Sequence, residues 1–349
     1  MKIVVDALQV PAELSGVGRQ ALELGSQLRG LPPGTRLEVR CAADVRGVFE
    51  GAYPAGTRFR TPIRRSRPRL LRILVQQLLF PALDRRSTLL VCLGDQAPLL
   101  GRARRLLVVN DVRRLTDDGG GLERRYYRFL LPRAVRRATV VATISQFSRT
   151  EIVRTLGVDS VVIAHHPAPV RAAPAAAGEF LLVVGALRPY KGSDLVVDAL
   201  ARLDEDARRP VVFAGPPEGH AGALRARAAA AGVRVDVRGW VDETELRGLY
   251  DGAYAVVCPS TYEGYGLPVA EGLAHGQAVV ASDIPPHREI GGDAVSWFRP
   301  GDAGALAEAL EALPTVRSAL AGRAVGRARE LAAVRPTWLD VVTDAASVR

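Results

Sequence analysis

Short runs rich in valine, leucine and isoleucine alternate along the chain with longer segments whose apolar residues recur every three or four positions. The first kind reads as buried strand and the second as amphipathic helix. Strands are predicted at Lys2–Ala7, Leu37–Ala42, Leu89–Leu93, Arg105–Asn110 and Thr139–Ile144, with helices at Gly18–Arg29, Leu70–Leu83 and Leu122–Arg137. A stretch rich in Pro and Ala, Pro167–Gly178, interrupts the pattern as a linker would. The alternation then restarts. Strands are predicted at Phe180–Val184, Pro210–Ala214, Val233–Arg238, Ala253–Cys258 and Gln277–Ala281, and helices at Ser193–Leu203, Leu246–Tyr250, Leu267–His275 and Ala303–Leu313. The tail from Pro336 to Val348 has the spacing of a final amphipathic helix.

Strands alternating with helices imply parallel sheets covered by helices on both faces. The expected architecture is therefore α/β, with two doubly wound, Rossmann-like domains at 1–166 and 167–335. The tail 336–349 is expected to pack back on the first domain. A length of 349 residues suits two ordinary cores, and 48% apolar with 24% charged residues suits a globular protein. No apolar run approaches the roughly 20 residues that span a bilayer; the longest, Ile73–Leu83, contains Gln76 and Gln77. Asp6 comes too early for the N-terminus to read as a signal peptide. Cys41, Cys92 and Cys258 have no zinc or redox spacing and suit a reducing, cytoplasmic setting.

Charge sharpens this picture. Residues 1–165 hold 28 Lys and Arg against 14 Asp and Glu, whereas the remainder holds 19 against 23. The positive field belongs to the first half, which could draw in a phosphorylated substrate, an anionic membrane face or nucleic acid. Only Lys2 and Lys191 are lysines among 47 basic residues, which singles out Lys191 inside the chain.

Ligands of open parallel sheets bind at the carboxyl ends of the strands, so the loops following strands carry the candidates. After the strand ending at Cys258 comes Pro259-Ser260-Thr261-Tyr262-Glu263-Gly264-Tyr265-Gly266-Leu267-Pro268-Val269-Ala270-Glu271. Gly264 and Gly266 leave amides uncovered before a helix, which makes an anion site suited to a diphosphate. Two carboxylates so near a phosphate repel it unless Glu263 and Glu271 bind hydroxyl groups, as ribose and hexose would offer. Lys191, in the loop after Phe180–Val184, supplies a cation, with Arg188 beside it. Gly16-Val17-Gly18-Arg19 occupies the equivalent loop of the first half, although Gly-x-Gly alone is weak.

At these residues the chain resembles the retaining glycosyltransferases of family 4, which have the GT-B fold. Glu263 and Glu271 match that family's Glu-x7-Glu signature around Glu-Gly-Tyr-Gly-Leu-Pro, and Val183–Gly192 resembles its Lys-Gly phosphate loop. Arg238-Gly239-Trp240-Val241 is similar to its nucleotide-base region, and Ser15–Arg19 and Tyr126–Ser148 are similar in the first half. The resemblance implies a GT-B protein with its active site in the interdomain cleft. It implies transfer of a hexose from a nucleoside-diphosphate sugar, GDP-mannose or a UDP-sugar, to a hydroxyl of a glycan, lipid-linked or small-molecule acceptor. Lys191, Arg188 and Glu263 then carry the catalytic roles. Gly264, Tyr265, Gly266, Leu267, Glu271, Arg238, Val241, Gly16 and Gly18 bind the donor. The acceptor side falls to Asn110, Asp111, Asp95 and Arg19. No cofactor and no metal is implied beyond the nucleotide sugar. The chain departs from the family pattern at Ala186, where Arg is usual, at Asn110-Asp111, where His-Asp is usual, and at Ala164-His165-His166-Pro167, where Pro-Asn-Gly is usual.

Other signals point elsewhere. Asp204-Glu205-Asp206 has the Asp-x-Asp spacing of metal-bound sugar nucleotides but precedes a strand, so it reads as a solvated turn. His165-His166 has no Cys/His cluster around it and reads as linker. Arg58, Arg60, Arg64, Arg65, Arg67, Arg69 and Arg72 read as a solvated face or as a peripheral contact with an anionic membrane. A nucleic-acid-binding protein lacks support because no aromatic residues interleave with this charge.

Overall fold

The structure is a computed structural model that describes residues 1–10, 16–65, 69–116, 122–163 and 169–348, without the side chains of 69, 70, 83, 114, 116 and 122–126. The chain forms two compact units, Met1–His165 with Val334–Arg349, and His166–Ala333.

The first unit holds a parallel sheet of strands β1 (Lys2–Asp6), β2 (Arg36–Ala42), β3 (Arg58–Ile63), β4 (Thr88–Cys92), β5 (Arg104–Val108), β6 (Val140–Thr143) and β7 (Val161–Val162). Its order is β3-β2-β1-β4-β5-β6-β7. The second holds β8 (Phe180–Val184), β9 (Val211–Ala214), β10 (Val235–Gly239), β11 (Ala253–Cys258), β12 (Val279–Ser282) and β13 (Val295–Phe298), in the order β10-β9-β8-β11-β12-β13. The central strands β4 and β11 are buried at every residue, so they read in sequence as continuous apolar runs rather than alternating ones.

In each sheet the chain starts near the middle, winds to one edge and returns to wind to the other. The reversals lie between β1 and β4 and between β8 and β11. Loops leaving the two central strands there run in opposite directions, and a crevice opens at their carboxyl ends.

The tail helix Trp338–Ser347 belongs to the first unit. Trp338, Val341, Val342, Ala345 and Ala346 are buried in that unit's core, and the Trp338 amide donates to Gln27 Oε1 at 2.9 Å. Thr337 and Asp340 form a reciprocal capping box that satisfies amides opening the helix.

Two expectations in the first unit need correction. The Gly16–Arg19 segment, placed in a loop although the spacing also predicts a helix from Gly18, is the first turn of helix Gly16–Gln27, and the loop before it lies outside the described residues. The arginine run is not one solvated face. Arg58 and Arg60 lie on the edge strand β3, where Arg60 pairs with Glu38 at 3.3 Å. Arg72 is buried, donating from Nη1 to the carbonyls of Leu8 and Gln9 at 3.3 and 3.0 Å. Arg67 and the Arg69 side chain lie outside the described residues, as do 164–168 with His165-His166. The Asp204–Asp206 segment is an exposed turn entering β9.

Candidate donor site of the second unit

The loops after β8 and β11 meet at the reversal point of the second sheet. Their approach is close because residue 192 is glycine. Gly192 has φ +73°, and a Cβ there would lie 2.5 Å from the Pro259 carbonyl oxygen. The Thr261 amide donates to the Tyr190 carbonyl at 2.8 Å and joins the two loops again.

This junction brings Lys191 onto Glu263. Lys191 Nζ donates to Glu263 Oε1 at 2.6 Å, and Ser260 Oγ donates to the same oxygen at 2.8 Å. Both charged side chains are half-buried, so the pair is neither dry nor freely solvated. Gly185, Lys191 and Ser193 line a small hollow together with Ser260, Glu263 and Pro268. Gly266, at φ +106°, caps the eight-residue helix Leu267–Ala274, and Pro268 sits in its first turn. Pro268 has no N–H, and the Val269 and Ala270 amides donate to the Gly266 carbonyl at 3.0 and 3.1 Å, so the Lys191 ammonium and the positive end of the helix dipole give the hollow the means to hold an anion.

Glu271 lies on the same helix but is buried, accepting a hydrogen bond from the Tyr250 hydroxyl at 2.6 Å. Tyr250 in turn stacks on His275, with ring centroids 4.9 Å apart. The two glutamates thus occupy different surroundings, one against a cation at the loop and one against a phenol beneath it. Tyr265 is buried, while Gly264 and Leu267 are half-buried.

Arg188 does not join the Lys191–Glu263 pair; its Nη2 donates to Glu218 Oε1 at 2.9 Å, on the loop after β9. Arg238, at the end of β10, is exposed and pairs with Asp236 at 2.5 Å and Glu245 at 3.4 Å. Val241 follows it, half-buried, just before Asp242 caps the next helix.

One residue of this region carries no sequence signal. His287 is fully buried, and its Nδ1 lies 3.0 Å from the Ser282 carbonyl oxygen, an acceptor that fixes the proton on Nδ1. Ser282 Oγ donates to the Ser260 carbonyl, so the histidine connects to the loop that carries Glu263. Nε2 has no hydrogen-bond partner among the described residues. The ring edge abuts Gly266, where a Cβ would lie 2.9 Å from His287 Cδ2. Burial lowers its pKa; the charge of Glu263 and the bond to Ser282 act against this, and Lys191 acts with it. Only a solved fold could reveal this position, because a lone histidine after a strand matches no motif.

At the reversal point of the first sheet, Asp95 follows β4 with φ +65°. Its Oδ1 accepts from the Asn110 amide at 2.7 Å, and Asn110 Oδ1 accepts from Gln20 Nε2 at 2.9 Å. Gly94 packs on Val17, whose Cγ1 would be 3.5 Å from a Cβ at residue 94, so the first turn of helix Gly16–Gln27 borders this cluster. Asp111 Oδ1 caps the Arg113 amide at 3.0 Å. Arg19 is half-buried on the helix.

The family described as glycosyl transferases group 1 matches residues 171–320. The O-antigen chain mannosyltransferase RfbU of Salmonella typhimurium is 28% identical over 220 residues, 61% of each chain. A D-inositol 3-phosphate glycosyltransferase of Frankia alni is 36% identical over 167 residues, 43% of this chain and 41% of the relative. The chain therefore spans less than two thirds of the length of these relatives. In fold, Anabaena HepE in complex with UDP-glucose superposes with a TM-score of 0.73 at 16% identity, covering 99% of this chain and 98% of that one. A glycosyltransferase from Rickettsia africae gives 0.70 at 16% identity, covering 99% and 97%. Residues 171–320 match the glycosyl transferases group 1 family, and the chain has the two-domain α/β GT-B fold of these solved glycosyltransferases.

Proposed function

We propose that this protein is a retaining, metal-independent hexosyltransferase that uses a nucleoside-diphosphate sugar. The observation that carries the reading is the meeting of Lys191 and Glu263 at the β8/β11 reversal, beside the amides opening helix Leu267–Ala274. The ammonium and the helix N-terminus suit a diphosphate, and negative charge grows on that group as the glycosidic bond breaks. Glu263 is assigned to the sugar, Glu271 to the ribose, and Arg238 with Val241 to the base. The acceptor oxygen bonds to the anomeric carbon while the bond from that carbon to the diphosphate oxygen breaks. The acceptor proton passes to a diphosphate oxygen on the same face. Arg19, Asp95, Asn110 and Asp111 are assigned to the acceptor. The mannosyltransferases among the relatives favour a mannosyl donor.

Lys191→Ala tests the assignment. Titration calorimetry with GDP and with UDP is expected to show affinity for the cognate nucleotide weakened by about 2 kcal/mol or more. Unchanged affinity for both would remove Lys191 from the site, and the wild-type titration identifies the base. Turnover is expected to survive EDTA, since fixed protein groups neutralise the diphosphate. Activity abolished by EDTA and restored by magnesium or manganese would overturn that part.

A further inference from the structure

The helix Arg69–Leu83 is turned inside out. Its buried positions include Arg72, Gln76 and Phe80, whereas Leu71, Leu74 and Leu78 are 44%, 55% and 70% exposed. The leucine spacing of three and four places all three on one helical face. The polar residues on the inner side fix this orientation. Gln76 Nε2 donates to the buried Asp6 carboxylate, and Arg72 donates to the Leu8 and Gln9 carbonyls. Rotating the helix to hide the leucines would strip these bonds from buried groups. Burying a leucine is worth about 1.5–3 kcal/mol, so three left in water forgo a gain that a partner can recover.

The surrounding charge identifies that partner. Residues 51–94 contain nine arginines and a single acidic residue, Asp84. Asp84 is buried and held by both Nη atoms of Arg40 at 2.7 and 2.6 Å, so it does not offset the surface charge. Arg64 and Arg65 before the helix and Arg85 and Arg86 after it are exposed. A second copy of this chain laid on the same face would bring like charges together. A bilayer with anionic headgroups offers negative charge in a plane and apolar volume directly beneath it. Among the described residues no helix is long and apolar enough to cross a membrane, so this one would lie along the surface.

We infer that the Leu71/Leu74/Leu78 face docks in the plane of an anionic membrane, with the flanking arginines on the headgroups. A lipid-linked acceptor would then be taken from that surface. The acceptor class rests on the proposed transferase reading; the docking itself does not.

Sedimentation of the full chain with phosphatidylcholine vesicles, and with vesicles containing phosphatidylglycerol, tests the inference without any assay of transfer. Wild type is expected to bind the anionic vesicles at least tenfold more tightly than the neutral ones, with the difference shrinking as salt rises. The triple variant Leu71→Gln, Leu74→Gln, Leu78→Gln keeps charge and helix propensity. It is expected to lose at least tenfold in binding while retaining wild-type circular dichroism and nucleotide titration. Arg64→Gln with Arg65→Gln is expected to weaken binding and flatten the salt dependence. Absence of anionic preference at low salt, or undiminished binding by the triple variant, would overturn the inference. So would a wild-type dimer in sedimentation equilibrium that the triple variant abolishes, because a second copy would then cover this face.

Discussion

At the scale of single residues, the Lys191–Glu263 contact changes what the sequence alone leads one to expect of Glu263. Read from its position before the glycine nest, Glu263→Gln should lower turnover and leave nucleotide affinity nearly unchanged. In the structure, however, Glu263 is the counter-ion of the cation assigned to the diphosphate, at 2.6 Å. On that assignment a nucleotide competes with the carboxylate for Lys191, and part of its binding energy separates the pair. Removing the carboxylate charge removes the competitor. Glu263→Gln is therefore expected to bind free GDP or UDP several-fold more tightly than wild type while turning over poorly. Titration of both nucleotides decides it, and weaker binding than wild type would refute the competition. His287 gives a second expectation at this scale. Its ring is held neutral by burial, so below the ordinary histidine value near 6.5 the unfolded chain takes up a proton that the folded chain resists. Fewer protons on the folded state mean that stability falls as pH drops through 6.5 toward the lower folded value. His287→Asn can still donate to the Ser282 carbonyl but has no such linkage. The melting-temperature advantage of wild type over this variant is expected to shrink between pH 7.5 and 5. A constant difference would mean that the ring titrates as it does in water.

At the scale of elements, what was legible depended on whether a segment's chemistry matched its surroundings. β8, β11 and helix Leu122–Arg137 were readable to the residue, and the other central strands within a residue or two, because buried parallel strands are continuous apolar runs. β3 escaped notice because arginines and Pro62 occupy an edge strand, where side chains meet solvent and a missing amide is tolerated. Helix Ala221–Ala230 escaped because alanine and arginine give it no apolar stripe to find. The helix predicted at Ala303–Leu313 continues to Ala332 through Pro314, which local reading takes as a stop. Helix Arg69–Leu83 was predicted in place, but a pattern of apolar residues is assumed to face inward, and here it does not. That the loops after β8 and β11 follow strands and lead into helices was legible, because glycines and a helix start mark each of them. The ion pair, the burial of Glu271 under Tyr250, the diversion of Arg188 to Glu218 and the Ser282–His287 support were not. Each depends on which loops the strand order makes neighbours, and that order is not written in any local window.

For the whole molecule, the chain builds two hydrophobic cores from three stretches of sequence, since the tail returns to the unit that the N-terminus began. Trp338 anchors that return. It is among the largest fully buried side chains, and the neighbouring Leu339 packs on Gly30, where a Cβ would lie 2.7 Å from its Cδ2. Loss of a buried tryptophan side chain costs about 3–5 kcal/mol when the site cannot collapse. Lys191, Glu263 and Glu271, the residues assigned to the donor, by contrast all belong to the second unit. A ligand that binds only a folded unit raises the stability of that unit by mass action. Trp338→Ala and saturating nucleotide should therefore act on different parts of the unfolding profile. Scanning calorimetry is expected to resolve two transitions, with Trp338→Ala lowering one and the cognate nucleoside diphosphate raising the other. In the variant, nucleotide affinity at a temperature below both transitions should equal that of wild type. If the substitution and the nucleotide shift one and the same transition, the two cores unfold as one cooperative unit.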